Sequence, residues 1–228
     1  MPSGAKRRPV PWGRHHRIIP SRFPPVSAFE DTADPADLDA VFETEALTND
    51  RLRDQAGALN LVPPDQRVSG PGSTVVMAAF THIGRAGRFN EPDFGAYYAS
   101  ESSATAIAET RFHRARFMAL TDEAPARLEM REYVGAPTQS SFVDLRGGAH
   151  EDLLDPDPEG YARPQAVARQ WREQGEHGVL YPSVRRAEGE CLAAFRPDAV
   201  GLPRQAAHYV YIWDGKDISE VLKLTRVV

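Results

Sequence analysis

The chain has 228 residues, enough for one large domain or two small ones with a buried core. Hydrophobic residues make up 41% and charged residues 26%, as in an ordinary soluble globular protein, and the net charge of −5 argues against a broad surface for nucleic acid. The single cysteine, Cys191, excludes an intrachain disulfide and a cysteine-rich zinc site, and no apolar run reaches the length of a membrane span, so we expect a cytoplasmic protein.

The first third of the chain is predicted to contain one helix and little other regular structure. Residues 1–15 are basic, proline-rich and aperiodic, which is typical of a flexible tail. The apolar pair Ile18–Ile19 predicts a brief strand. Asp34 and the proline after it supply an N-cap and a first-turn proline for a helix that runs to about Gly57. Residues 60–73, rich in Pro, Gly and Asp, predict a loop.

The rest of the chain predicts short strands and two helices. The unbroken apolar run Val75–Phe80 predicts a buried strand. One helix is predicted over about residues 102–116, and a second begins at Arg163 and is closed by Gly175. Further strands are predicted at residues 96–99, 128–134, 141–145, 179–181, 191–195, 209–213 and 219–224, the last two joined by a hairpin turn at 214–215. The fold class predicted is α/β (α+β): a single compact domain with a mixed, largely antiparallel sheet flanked by helices.

The segment 85–112 contains residue types that suit a nucleotide site. Glu109 lies among small alanines on the helix predicted over about residues 102–116, which lets its carboxylate approach the floor of a cleft. Arg88 follows glycines at positions 84 and 87, and a guanidinium held there suits bidentate binding of phosphate. Tyr97 and Tyr98 are neighbours on a predicted strand and must therefore face opposite sides, so one ring is placed to stack on nicotinamide or adenine.

Each of these residues, taken alone, also has an ordinary structural interpretation. The structural interpretation of Glu109 is a surface residue paired with His113 at the next helical turn. The structural interpretation of Arg88 is an ordinary loop arginine. The glycines before Arg88 lack the third glycine of a Rossmann fingerprint. The residue types alone therefore leave a binding role and a structural role open.

Ser183 is the downstream candidate, presented after a proline at the end of a predicted strand. Without a Gly-x-Ser-x-Gly elbow a serine hydrolase is not expected, and the structural alternative is a simple turn residue. Arg185 and Arg186 follow closely and add positive charge. The seven histidines include no helical His-x-x-x-His pair, which argues against a zinc enzyme.

Three segments, in their order and spacing, resemble a known family. GRFN at residues 87–90, YYAS and TAIAE within residues 97–109, and GVLYPSVR at residues 178–185 look like the RES domain, named for its Arg, Glu and Ser. Its members are toxins of bacterial type II toxin–antitoxin pairs, usually encoded with an Xre-type helix-turn-helix antitoxin. The resemblance implies an ADP-ribosyltransferase-like fold and a cognate Xre-type antitoxin as partner.

The resemblance also implies roles for individual residues and domain boundaries. An early family arginine, in a Tyr-Arg-Ile/Tyr segment, matches Arg17, although His16 stands in place of the tyrosine. Residues 1–15 would be the tail and 16–228 the RES domain, with a helical and loop insertion at 34–70. The implied catalytic residues are Glu109, Arg17 and Ser183, and the implied substrate-binding residues are Arg88, Tyr98, Tyr97 and Asn90.

The function implied by the resemblance is an enzyme that consumes NAD+. NAD+ is then the substrate, and no metal or organic cofactor is required. We expect cleavage of the nicotinamide–ribose bond by a glycohydrolase or phosphorylase that depletes cellular NAD+. Two alternatives stay open: a protein ADP-ribosyltransferase toxin that modifies a host metabolic enzyme, and a non-catalytic nucleotide-binding module. Direct nucleic-acid binding and membrane association are not expected.

Overall fold

The computed structural model describes residues 6–21, 57–138, 140–148, 150–225 and 227. Within these residues the chain forms nine strands and three α-helices. The strands are β1 (Lys6–Pro9), β2 (His15–Pro20), β3 (Tyr97–Ser100), β4 (Ala126–Gly135), β5 (Ser141–Asp144), β6 (Gly178–Pro182), β7 (Glu190–Ala194), β8 (Arg204–Trp213) and β9 (Ile218–Leu224). The helices are α1 (Ser73–Thr81), α2 (Ser103–Leu120) and α3 (Ala162–Glu173).

The described strands form one sheet in the order β1-β5-β6-β7-β3-β2-β4-β8-β9, in which the β5–β6 pair is parallel and the other pairs are antiparallel. Strand β2 pairs with β4 along its whole length, from His15 opposite Gly135 to Pro20 opposite Met130. With β3 it pairs only where His16 lies opposite Ser100. The sheet therefore consists of two halves, β1-β5-β6-β7-β3 and β2-β4-β8-β9, that meet at one residue pair, here called the junction.

The first half-sheet is covered on both faces, because side chains along a strand alternate. On one face, Leu180 and Leu192 pack with Val76 of α1 and with Tyr97. The other face carries a second cluster, packed against Trp171 of α3. Neighbouring residues of β6 and β7 thus belong to different clusters, as the strand period requires.

Helix α2 crosses the junction. Its N-cap Ser102 accepts a hydrogen bond from the backbone N–H of Thr105, at 3.2 Å, which explains why the helix begins directly after β3. Further along, Ala106 and Met118 pack with Ile18 of β2 in the core of the second half-sheet. The helix therefore starts at the first half-sheet and buries its apolar side on the second.

Most predicted elements are confirmed, including the mixed, largely antiparallel sheet flanked by helices. The prediction of a strand at Val75–Phe80 is wrong, because these residues belong to α1. The run is apolar on all sides and is buried between the sheet and the turns before it, so its pattern contains no period that separates a buried helix from a buried strand. Within the described ranges, no helix has the length and apolar character needed to cross a lipid bilayer.

The prediction of a flexible tail at 1–15 is wrong for Lys6–Pro9, which form the edge strand β1 and pair with β5. The side chains of β1 are exposed, so its stability comes from backbone hydrogen bonds and from the ion pair between Arg7 and Glu176, neither of which leaves a hydrophobic pattern. Residues 1–5 lie outside the described residues, as does the helix predicted from Asp34, except for Gly57. Residues 57–72 contain two short 3-10 turns in an otherwise irregular segment, in agreement with the predicted loop.

We predict that Leu180→Ala lowers the free energy of unfolding by about 2–5 kcal/mol, because Leu180 has no exposed surface and its loss leaves a cavity under α1. Leu120→Ala is the matched control: Leu120 is 75% exposed, and its truncation should change the stability by less than about 0.5 kcal/mol. Urea denaturation monitored by circular dichroism measures both. Equal effects of the two substitutions would contradict the assignment of this core.

Candidate active site

Glu109 and Ser183, 74 positions apart in the chain, are in direct contact. Glu109 lies on α2, and Ser183 is the first residue of the β6–β7 turn (residues 183–189). The Ser183 hydroxyl donates a hydrogen bond of 2.6 Å to Oε1 of Glu109. The backbone closes the turn, since the Ser183 N–H donates to the Gly189 carbonyl at 2.7 Å. A turn between two central strands thus places a hydroxyl against a helix-borne carboxylate.

The direction of this hydrogen bond is determined by the turn. The backbone N–H groups of Arg185 and Arg186 both donate to Oγ of Ser183, each at 3.1 Å. A serine hydroxyl has one proton and two acceptor positions, and the two amides occupy both acceptor positions. The proton of Ser183 must therefore point towards Glu109.

Close packing of the turn on α2 sets the distance. A β-carbon at Gly189 would lie 2.8 Å from Oγ1 of Thr105 and 2.9 Å from its Cγ2, closer than real β-carbons approach other atoms. Thr105 is fully buried, so it cannot move aside. Thr105 and Glu109 lie one helical turn apart on the same side of α2. Glycine at 189 therefore lets the turn approach closely enough for Ser183 to reach the carboxylate.

Opposing influences act on the pKa of Glu109. Burial raises the pKa of its carboxyl, while the Ser183 hydrogen bond and the positive charges of Arg185 and Arg88 lower it, so that the net shift is upward. The buried thiol of Cys191, with Sγ 3.9 Å from Oε1, also contacts the carboxyl. Burial raises the pKa of Cys191, so the thiol stays neutral beside Glu109. Carboxyl groups balanced in this way are frequent at catalytic sites.

Arg88 is 5% exposed and close enough to act on the pKa of Glu109. Its Nη1 donates to the backbone carbonyls of Asp155, at 2.6 Å, and Leu153, at 3.3 Å. Its guanidinium lies 4.6 Å from the centre of the Tyr161 ring. Among the described residues these contacts are with neutral groups, so the cation is buried without a contacting carboxylate.

Asn90 and Tyr98 hold the turn that carries Arg88. Asn90 donates to the backbone carbonyls of Arg85 and Phe94, at 2.8 and 3.1 Å, and its Oδ1 accepts from the Tyr98 hydroxyl at 2.9 Å. The same hydroxyl accepts from the Phe89 N–H at 2.9 Å. Asn90 is 5% exposed and its side chain is engaged inside the turn, which places it in the scaffold and not among the ligand contacts.

The structure does not bring Tyr97 and Arg17 to this cluster. Tyr97 alternates with Tyr98 and is fully buried in the core beneath α1, on the face away from Cys191. The Arg17 guanidinium lies 4.6 Å from the centre of the Tyr97 ring, and its Nη1 donates to the Tyr98 carbonyl at 2.9 Å. Burial lowers the pKa of Arg17. Both side chains serve the junction on the far face of the sheet, because strand residues alternate.

Two contributors to the cluster were not assigned a site from the sequence. From the sequence, Arg185 is only added positive charge, and Cys191 is only the single cysteine and a strand residue. The feature of the sequence that points to Arg185 as a site residue is its position two residues after Ser183, within a turn that must face α2. The signal for Cys191 is its strand period, which puts it on the same face as Ala193 and Tyr181. Across the described parts of the chain, no group of three or more His, Cys, Asp or Glu side chains is arranged to hold a metal ion.

Comparisons with known proteins place this cluster within one family. The RES domain model matches residues 64–214, which include Arg88, Glu109 and Ser183 and leave out Arg17. The chain is 30% identical over 210 residues to "Uncharacterized protein y4oC" of Sinorhizobium fredii (strain NBRC 101917 / NGR234), covering 90% of this chain and 84% of that protein. A chain in the crystal structure of the M. tuberculosis MbcT-MbcA toxin-antitoxin complex is 20% identical, with a TM-score of 0.40 over 61% of this chain and 72% of that one.

We predict that Glu109→Gln is at least as stable as the wild type at pH 7. The folded-state pKa of Glu109 lies above its unfolded value, so the protonated carboxyl favours folding and this contribution is lost as the pH rises through the folded pKa. A neutral glutamine keeps the oxygen that accepts from Ser183 and avoids placing a charge at this half-buried position. Thermal unfolding across a pH series should show the two proteins converging as the pH falls towards about 4. A variant less stable than the wild type throughout the series would contradict the desolvation of an ionised carboxylate at this position.

We also predict that Ser183→Ala raises the pKa of Glu109 further and lowers the free energy of unfolding by about 1–3 kcal/mol. The substitution removes the hydrogen bond that lowers this pKa and leaves the amides of Arg185 and Arg186 without their acceptor. Carbon-13 NMR titration of labelled glutamate carboxyls and urea denaturation measure the two effects. Ser183→Thr keeps a hydroxyl and serves as the control. An unchanged carboxyl pKa in Ser183→Ala would show that the hydroxyl does not hold Glu109.

Proposed function

Because this chain belongs to the RES domain family, we propose that it is an enzyme that cleaves the nicotinamide–ribose bond of NAD+. The products would be nicotinamide and ADP-ribose if water is the acceptor, or a phosphorylated ADP-ribose if phosphate is. The observation that carries the proposal is the half-buried carboxylate of Glu109, held by the Ser183 hydroxyl and flanked by Arg88 and Arg185.

The reaction needs little acid catalysis and much charge stabilisation. When the bond from ribose C1′ to the nicotinamide nitrogen breaks, both electrons go to the nitrogen and nicotinamide leaves neutral. The positive charge moves to the ribose, whose ring oxygen and C1′ share it, as in glycoside hydrolysis. The acceptor oxygen then bonds to C1′ and loses its proton. A carboxylate beside C1′ stabilises the cation and is a suitable base for that proton.

The environment of Glu109 suits this task. A carboxylate in a water-poor site interacts more strongly with a developing cation than one in bulk water. Burial raises the pKa of Glu109, and the Ser183 hydrogen bond and the charges of Arg185 and Arg88 offset part of this shift in favour of the ionised form that the reaction requires. Tyr98, half-buried on the same face, is proposed to position the nicotinamide end. Arg17, Tyr97 and Asn90 are left without a ligand contact in this mechanism.

From the same family membership we also propose that the chain is a toxin. The RES resemblance implies a chain whose NAD+ consumption is harmful to its own cell and is held in check by an Xre-type antitoxin. We propose that such a partner acts by closing access to Glu109, because this carboxylate is the group without which the chemistry fails.

The purified chain should release nicotinamide from NAD+, and Glu109→Gln should reduce kcat/KM by at least about 100-fold, since the carboxylate acts on charge that develops only in the transition state. Liquid chromatography measures free nicotinamide, with and without inorganic phosphate in the buffer. Expression of the wild type alone should arrest bacterial growth, and expression of Glu109→Gln should not.

The control for this experiment is the fold of the variant, checked by circular dichroism. NAD+ labelled in the adenylate part shows where the ADP-ribosyl group goes: label in small molecules supports hydrolysis or phosphorolysis, and label on a protein band supports the transferase alternative. The absence of nicotinamide release under every acceptor condition would contradict the proposal, as would a fully active Glu109→Gln.

A further inference from the structure

Arg185 lies at the edge of the carboxylate cluster in an unusual environment. Its guanidinium carbon is 3.3 Å from the centre of the Phe112 ring, so the planar group is stacked on the aromatic face. Phe112 follows Glu109 by three residues on α2 and therefore lies on the neighbouring part of the same helix surface. The β6–β7 turn and α2 together hold this cation beside the carboxylate.

The hydrogen-bonding capacity of Arg185 is mostly unused. Its Nη2 donates to the Pro156 carbonyl. Among the described residues, Nε is buried and has no acceptor, and Nη1 meets none either. A donor that is buried without an acceptor is rare in folded proteins and calls for an explanation. An arginine that is stacked on one side and has donors without an acceptor is suited to charge-assisted hydrogen bonds with a phosphate.

The other three arginines considered for this site have different surroundings. Arg88 is 5% exposed and bonds to backbone carbonyls, and Arg17 lies on the opposite face of the sheet. Arg186 points to the first turn of α2, where its Nη1 lies 3.3 Å from Thr105 and 3.7 Å from Glu101. Of these four arginines, Arg185 is the one beside Glu109 that combines an aromatic stack with a buried donor lacking an acceptor among the described residues.

We propose that Arg185, stacked on Phe112, is the binding site for a phosphate group next to Glu109, and that in the reaction it holds the pyrophosphate of the dinucleotide. This assignment rests on the proposed function for the identity of the substrate. Because the guanidinium is anchored by Phe112 and Pro156, the phosphate would be held at a set position relative to the carboxylate. Binding energy from the pyrophosphate would then orient the ribose for cleavage.

The test is calorimetric titration of the whole chain with ADP, which carries a pyrophosphate and no bond that the reaction breaks. Arg185→Ala should weaken ADP binding by about 10- to 100-fold, the range for loss of a charge-assisted hydrogen bond. Adenosine, which lacks phosphate, should bind both proteins within about twofold. Arg185→Lys keeps the charge without the planar fork and should fall between the two.

Arg186→Ala is the matched control, since it removes the same charge from the next position of the same turn. Its ADP affinity should stay within about threefold of the wild type, which separates a specific contact from a general electrostatic effect. Titration with inorganic phosphate distinguishes the source: a loss in Arg185→Ala confined to inorganic phosphate would keep the phosphate site and assign it to a free phosphate acceptor.

The inference is overturned if the wild type does not bind ADP, or if Arg185→Ala binds ADP and inorganic phosphate with unchanged affinity. It is also overturned if Arg185→Ala loses equal affinity for ADP and adenosine, because equal losses indicate a structural role for Arg185. These outcomes do not depend on turnover. A chain that binds ADP through Arg185 but releases no nicotinamide keeps the phosphate site and loses the proposed reaction. A chain that releases nicotinamide and binds ADP equally well without Arg185 keeps the proposed reaction and loses the phosphate site.

Discussion

The Ser183 hydroxyl donates its one proton to Glu109 because two backbone amides already occupy its acceptor positions. This interaction requires a turn of defined shape, packed against α2 at a distance that only a glycine at 189 permits. The carboxylate is half-buried, which raises its pKa, and the hydroxyl and two arginines offset part of that shift. The turn amides and the close packing of Gly189 on Thr105 thus keep this carboxylate in place.

The architecture of the sheet explains why the site lies where it does. Among the described strands, the two half-sheets pair only where His16 lies opposite Ser100, and α2 begins shortly after that junction. At its start, Glu101 accepts from the Glu190 amide at 2.9 Å and from Thr105 at 2.7 Å, which ties the helix to β7. The first turns of α2 therefore lie against the end of the β6–β7 hairpin, and the later turns bury apolar side chains on the second half-sheet.

Local patterns in the sequence predicted much of this fold. The strands bounded by turns and the capped helices were found, and the alternation of Tyr97 and Tyr98 followed from the strand period. Helix α1 is not predicted by these patterns, because its apolar residues surround the helix and show no period. Strand β1 is not predicted either, because its side chains are exposed and leave no hydrophobic pattern. The contact of Glu109 with Ser183 depends on packing between segments 74 residues apart, and only the family resemblance linked the two. The roles of Tyr97 and Asn90 could not be separated from that of Tyr98 without knowing which side chains are buried.

The most direct test is a crystal structure of Glu109→Gln soaked with NAD+, since this variant should bind the dinucleotide without cleaving it. The expected density places ribose C1′ beside the carboxamide at position 109, with the nicotinamide towards Tyr98 and a phosphate on Arg185. Density for NAD+ on the α1 face of the sheet, or on any surface away from α2 and the β6–β7 turn, would contradict the assignment of this cluster as the active site.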